Sequence, residues 1–296
     1  MIYGTISGGV YALLALGFTL IYGVSGVVNL AHGSFYMLGA YMFFVFGASG
    51  FFGADPMLAS ILALIVAVIF VGAVGSITYR LTIHPVIGNE IAVMVVTVCL
   101  AIIFQQLMLL GFGASFPRVS WPKGSFLLES TSIWGVSVEY SLILAFVVSL
   151  VLFASLLVFI TKTKIGKAMR AVSQDREVAM LMGINTKRLY MLTMIISAML
   201  AALAGIFITT SIEKSTGPWL WFRPLALSLT IVILGGLGSI KGSLLGAFIV
   251  AYAEKTVAIA VPEGGAIVGV VPLAVIVAVL LVRPKGLFGK RVEMEE

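Results

Sequence analysis

Seven of the chain's eighteen lysine and arginine residues fall in one short polar segment, residues 162–188. Asp175 and Glu177 lie in the same segment, so it carries both signs of charge. A dense basic segment binds acidic groups, which are either the carboxylates of a protein partner or the phosphates of lipid headgroups. Long apolar stretches flank it on both sides, so the segment is the most probable binding surface of the chain.

Polar residues inside apolar stretches form a second set of candidates. Asn29, His32 and Gly33 lie where the first long apolar stretch must break. A broken helix exposes backbone groups that bind ammonium or carboxylate ions, which suits a translocation path for a zwitterion. The same side chains also satisfy the backbone of a sharp turn, so both interpretations stay open.

Glu254 is the only acidic residue in the middle of a candidate span. It faces the translocation path, contacts a basic residue of a partner, or lies near enough to the outer interface to reach water. Gly235, Gly236 and Gly238 belong to a glycine-rich string that permits either close helix packing with a gate or a simple turn. Gln105 and Gln106 are expected to form hydrogen bonds between helices.

The sequence lacks the patterns of catalysis and of ATP or metal binding. It contains no GxxxxGK[ST], GxSxG or HExxH string and no set of metal ligands at the usual spacing. We therefore expect no enzymatic activity, no metal and no cofactor in this chain. Cys99 is the single cysteine, which excludes an internal disulfide, and we expect it to be an inert packing residue.

The composition places these candidates in an integral membrane protein. The chain is 61% hydrophobic, has a mean hydropathy of +1.17 and carries only 10% charged residues, whereas about a quarter is usual in a soluble domain. The net charge of +6 does not indicate nucleic-acid binding, because the charges lie between apolar runs. We predict spans, each of roughly 20 apolar residues, at 2–22, 33–52, 57–79, 91–112, 141–160, 189–211 and 265–282.

The region 224–261 is too long for one crossing, and its glycine-rich middle predicts a hairpin of two short helices or a re-entrant element. The predicted fold is thus an all-α, polytopic integral membrane protein. It has eight or nine transmembrane or re-entrant helical segments in a single domain, 1–296. With 162–188 in the cytoplasm, thirteen basic residues lie inside and four outside, so the N-terminus is outside and the C-terminus is cytoplasmic. Residues 113–140 form an extracytoplasmic loop that caps the membrane interface.

Within the basic segment, Asp175 is expected to cap a short helix, Arg176–Met182. Gly183 fits the position after the helix, where a left-handed residue ends it. Ala179, Leu181 and Met182 give the helix an apolar side. A compact helix between two spans is suited to receiving force from a cytoplasmic partner.

Four strings resemble the permeases of branched-chain amino acid ABC transporters, in particular their LivH type. They are IYGVSGVVNLAHGSFYMLGAY (21–41), GKAMRAVSQDREVAMLMGIN (166–185), LGGLGSIKGSLLGAF (234–248) and RPKGLFG (283–289). They occur in the family's order and with compatible spacing, and the match runs nearly from one end of the chain to the other. One departure is Lys241, which stands where many relatives have proline, and the 113–140 loop matches poorly.

The resemblance implies one half of a translocation pathway in the cell's inner membrane. It implies a second related permease, two cytoplasmic ABC ATPase subunits that use ATP and Mg²⁺, and an extracytoplasmic binding protein that delivers leucine, isoleucine or valine. The 162–188 segment becomes the coupling loop on which the ATPase docks. Its implied coupling residues are Gly166, Arg170, Asp175, Arg176, Glu177, Ala179, Gly183 and Asn185.

Alternatives to this function stay open from the sequence. The nearest is a permease of the same family that carries urea, short amides or other amino acids, because the urea branch has a similar N-terminal string. An autonomous secondary carrier is disfavoured by the scarcity of acidic residues in the spans.

Overall fold

A computed structural model describes residues 1–48, 55–113, 121, 125–133, 135–213, 217–260, 268–283 and 286–288. The described helices are α1 (Ile2–Ser25), α2 (His32–Ala48), α3 (Pro56–Thr78), α4 (His84–Val86), α5 (Glu90–Phe112), α6 (Tyr140–Lys162), α7 (Lys164–Gln174), α8 (Arg176–Leu181), α9 (Thr186–Ile208), α10 (Phe222–Gly235), α11 (Ile240–Ala260) and α12 (Val271–Val282). π-helical turns, Tyr79–Ile83 and Thr209–Glu213, extend α3 and α9, and 3₁₀ turns lie at Phe126–Leu128 and Val268–Val270.

Six of these helices are long and apolar enough to cross a membrane, and α10 and α12 are shorter apolar helices of 14 and 12 residues. Their ends follow local signals in the sequence. The Asp55 carboxylate accepts from the backbone N–H of Met57 at 2.9 Å and caps α3. Asn89 caps α5 in the same way, and Gly26, with φ 71°, ends α1 in the left-handed conformation.

Two predicted breaks are present in the structure. The first long apolar stretch is interrupted at residues 26–31, between α1 and α2. The region 224–261 forms the helical hairpin α10–α11 with a turn at 236–239. Both breaks coincide with glycines at positive φ, Gly26, Gly236 and Gly238, which an L-residue with a side chain rarely adopts.

α1 is the central helix of the bundle. About nine-tenths of the residues in its 18-residue apolar stretch are buried, and the helix packs against α6, α9, α10 and α11. α9 is the second inner helix and packs against α1, α2 and α3. A helix that other helices surround needs no polar face, which is consistent with the absence of charged residues from α1.

The two ends of the bundle collect different parts of the chain. At one end, the C-terminal residues of α1, the helices α7 and α8, the 236–239 turn and Phe288 surround one cavity. At the other end, the Tyr3 hydroxyl donates to the Ser137 carbonyl at 2.7 Å, and Thr5 hydrogen-bonds Tyr252 at 2.6 Å. The elements that charge counting assigned to the same side therefore lie at the same end.

The 113–140 loop contains the one departure from a purely helical chain among the described residues. Strands β1 (Ser130–Ile133) and β2 (Val136–Glu139) form a short antiparallel hairpin. Trp121 in this loop is buried, with its ring centre 5.3 Å from that of Phe43. Trp134 and the prolines at 117 and 122 lie outside the described residues.

Candidate coupling and translocation sites

Two short, capped helices, α7 and α8, make up most of the basic segment between α6 and α9. The Thr163 hydroxyl accepts from the Gly166 N–H at 3.0 Å and caps α7, and the Asp175 carboxylate accepts from the Val178 N–H at 2.9 Å and caps α8. Gly183 follows α8 with φ 82°. The predicted cap and the predicted left-handed glycine are both present, and the predicted helix ends one residue earlier, at Leu181.

The apolar side of α8 is divided between the protein core and the solvent. Ala179, predicted to belong to the exposed docking surface, is only 3% exposed and packs inward. Leu181 and Met182 are 86% and 79% exposed, and Val178 is exposed beside them. The placement of Ala179 is thus corrected, because the rotation of this six-residue helix is set by its contact with α9. Val178, which the sequence did not single out, joins the exposed apolar surface.

Two basic side chains of the segment contact other parts of the same chain. The Arg176 guanidinium lies 5.7 Å from the centre of the Tyr190 ring, within cation–π range. Arg170 donates to the Thr161 carbonyl at 3.4 Å and stays exposed. Glu177 is exposed, and Asn185 caps α9 by accepting from the Arg188 N–H at 3.1 Å.

Gly166 is buried where α7 turns back on α6. A Cβ at this position would overlap the backbone of Phe159 and Ile160. Its role in the structure is close packing, and it presents no surface to a partner.

A cavity of about 460 Å³ lies between α7 and α8 on one side and α1 and the 236–239 turn on the other. Val172, Ser173 and Arg176 line it on one side, and the end of α1, residues 22–26, and the 236–239 turn line it on the other. α7 also packs directly against α1, which in turn packs against α10 and α11, so a movement of α7 would reach these helices through direct contacts.

Asn29 and His32 are buried and hydrogen-bonded within the chain. The Asn29 side-chain oxygen accepts from the Ala31 N–H at 3.0 Å, which stabilises the turn before α2. His32 Nε2 donates to the Leu14 carbonyl at 3.0 Å, and its Nδ1 accepts from the Ser197 hydroxyl at 3.2 Å. His32 is fully buried and ties α2 to α1 and α9, so its described contacts are those of a structural residue.

The glycine candidates lie where backbones approach each other closely. A Cβ at Gly33 would overlap the Trp221 carbonyl oxygen, and a Cβ at Gly235 or Gly242 would overlap the backbone of the other. Gly246, one turn along α11, faces Ile231 and continues this contact. Gly235, Gly242 and Gly246 are thus the small residues that allow two helices to pack at short distance, whereas Gly236 and Gly238 form the turn between the helices at positive φ. The string therefore shows both close packing and a turn.

The C-terminal string completes the α10–α11 hairpin. The N–H groups of Leu287 and Phe288 donate to the carbonyls of Leu234 and Gly235 at 2.8 and 3.1 Å. These carbonyls belong to the last turn of α10, which has no partners within its own helix. Two separated strings of the sequence therefore form a single structural unit.

Glu254 is 1% exposed and lies between α1, α10 and α11. Its Oε2 accepts from the Tyr11 hydroxyl at 2.7 Å, and its Oε1 lies 3.5 Å from Nη2 of Arg223. The basic residue beside Glu254 therefore belongs to this same chain and not to a partner, as one interpretation expected, and a side chain that is 1% exposed does not reach water. No local pattern in the sequence pairs these residues, because they are on different helices.

The described residues include no group of three or more His, Cys, Asp or Glu side chains that could hold a metal ion. The candidate sites instead divide into an exposed coupling surface on α7 and α8 and buried contacts between helices.

Comparison with known proteins decides the family. Residues 1–280 match the family model described as the permease component of the branched-chain amino acid transport system. The chain belongs to this permease family. The family is one of transport proteins and not of enzymes.

Relatives match the permease over nearly its full length. It is 32% identical to the permease protein BraD of Pseudomonas aeruginosa, covering 98% of this chain and 95% of that one. It is 30% identical to the permease protein LivH of Escherichia coli K12, covering 98% and 94%. Both relatives are named as high-affinity branched-chain amino acid transport permeases.

A solved structure supports the fold of the permease. A chain of PsaBC from Streptococcus pneumoniae, in complex with Fab, superposes with a TM-score of 0.52 at 15% identity. The alignment covers 96% of this permease and 92% of that chain.

Proposed function

We propose that the permease forms half of the translocation pathway of an ABC importer for leucine, isoleucine and valine. Its partners are a second, related permease, two cytoplasmic ATPase subunits that use ATP and Mg²⁺, and an extracytoplasmic binding protein. The observation that carries this proposal is the capped α7–α8 pair, with an exposed apolar surface, in a chain similar to transport permeases from end to end. The permease resides in the cytoplasmic membrane, which is the inner membrane of a cell with two.

The coupling surface consists of the exposed residues of α7, α8 and the following turn. Val178, Leu181 and Met182 supply apolar area for a groove on the ATPase. Arg170 and Glu177 flank them and orient the approach by charge. An apolar cluster of this exposure has no reason to remain uncovered in water, and lipid headgroups would not favour it as they favour lysine and arginine.

The topology that fits this role has an external N-terminus, a cytoplasmic C-terminus and nine helical segments. Support comes from the clustering of α7, α8, the 236–239 turn and Phe288 around one cavity, because basic residues occur in or beside each of these elements. The hairpin β1–β2 then lies outside, within the extracytoplasmic loop 113–140.

The translocation path is bounded by α1 and the α10–α11 hairpin on this account. Asn29, His32 and Gly33 hold the α1–α2 break, and Gly235, Gly236 and Gly238 hold the hairpin turn beside it. Glu254 fixes α1 to α10 and α11 near the opposite end. These residues act on the path by positioning helices that the coupling surface can move.

The substrate is tested on the binding protein that delivers it. We expect leucine, isoleucine and valine to raise the melting temperature of the cognate binding protein and to compete for uptake by the assembled transporter. Urea, acetamide and a charged amino acid are measured in the same assay as comparison ligands. Stabilisation by urea or acetamide, with none by leucine, would assign the permease to another substrate class of the family.

A further inference from the structure

Helix α5 presents one outward face that its own chain leaves uncovered. Only about a fifth of the residues in its 18-residue apolar stretch are buried. Its exposed residues recur three or four positions apart, as in Val95, Cys99, Ile102, Gln106 and Leu110. Such a spacing places them on one side of the helix. This side, the α5 face, is apolar except for the Cys99 thiol and the Gln106 amide. Cys99 is exposed, so the expectation that it packs within this chain is wrong.

The two neighbouring glutamines of α5 have opposite environments. Gln105 is buried, and its Oε1 accepts from the Trp221 indole N–H at 2.5 Å. Gln106 is exposed and takes part in no hydrogen bond with the described part of the chain. It lies six residues before the end of α5, which is about 9 Å along the helix axis. An amide at this depth requires a hydrogen-bonding partner, because hydrocarbon offers none.

The outward faces of α3 and α6 do not share this feature. The described exposed positions of α3 at membrane depth include Ile61, Ile65, Ile69 and Ile77, and those of α6 include Val147 and Val151. On α6 the polar exception is Ser155, whose short hydroxyl can bond a carbonyl of its own helix. Faces of this kind suit lipid, whereas the α5 face suits a protein.

We propose that the α5 face contacts the second permease subunit and that Gln106 hydrogen-bonds across this interface. The inference rests on the proposed function, which supplies that subunit. The depth of Gln106 excludes the ATPases and the binding protein as its partner, because both lie outside the membrane. The second permease is the remaining component of the importer with side chains at this depth, and polar side chains there hold helices together.

Photocrosslinking in the assembled transporter tests the inference. Ile102 on the α5 face and Val147 on α6 are 45% and 50% exposed, and each is replaced in turn by p-benzoyl-L-phenylalanine. We expect irradiation of the Ile102 variant to give a band that contains two permease chains, in several-fold higher yield than the Val147 variant. Equal yields, or adducts of the Ile102 variant with lipid alone, would overturn the inference.

The native cysteine gives a second readout that needs no substitution on this face. Cys99 should react with a maleimide in the separated, detergent-solubilised permease and be protected several-fold in the assembled transporter, whereas C99S/V147C should react equally in both. Equal reactivity of Cys99 in the two states contradicts the inference. Failure of the proposed function is distinguishable, because no second permease or ATPase would then copurify.

Discussion

Replacing Leu181 and Met182 together by aspartate will separate the permease from its ATPase and abolish ATP-dependent uptake. The two side chains are 86% and 79% exposed, so the permease core loses no contact. Burying two such side chains contributes about 3 kcal/mol or more, and its loss weakens docking about a hundredfold or more. ATPase copurification and uptake are measured beside the amount of folded permease.

The control for this variant is Val136→Asp, an exposed apolar position in the hairpin at the opposite end of the bundle. It introduces one of the same negative charges without touching the coupling surface and should preserve copurification. Retention of the ATPase by the Leu181 and Met182 variant would show that docking uses another surface.

Gly242→Val will prevent the α10–α11 hairpin from closing. A Cβ at Gly242 would overlap the Gly235 carbonyl, which is backbone and cannot rotate away. Overpacking of a core costs about 1–3 kcal/mol where side chains can yield, so we expect a loss at the upper end of that range or beyond it. The melting temperature in detergent and the folded yield should both fall, with Gly242→Ala falling less.

Gly111→Val is the matched control, because a Cβ at Gly111 has no described atom within 4 Å. This variant should have the same melting temperature in detergent as the wild type. If Gly242→Val also has the melting temperature of the wild type, the close α10–α11 contact is contradicted. The link between the glycine-rich string and the C-terminal string would then be contradicted as well.

The sequence predicted the parts of the fold that depend on local signals. Apolar runs located the helices, the break predicted between residues 22 and 33 lies at 26–31, and Asp175 and Gly183 located the ends of α8. The glycine-rich string predicted a hairpin or a re-entrant element, and the structure has a hairpin whose turn contains Gly236 and Gly238 at positive φ.

Features that depend on contacts between distant helices were beyond this reasoning. Ala179 was expected at the surface because a six-residue helix does not reveal by itself which side faces the core. The pairing of Glu254 with Arg223 and Tyr11 joins three helices whose relative rotation no local pattern encodes. Gln105 and Gln106 read alike in the sequence, yet the structure satisfies the first and leaves the second exposed.

Reconstitution into liposomes tests the central claim, that this chain is a permease driven by separate ATPases. We predict ATP-dependent leucine uptake when the permease is combined with the second permease, the ATPases and the binding protein. We predict no leucine uptake by this chain alone under a proton or sodium gradient. Gradient-driven uptake by this chain alone would contradict the account.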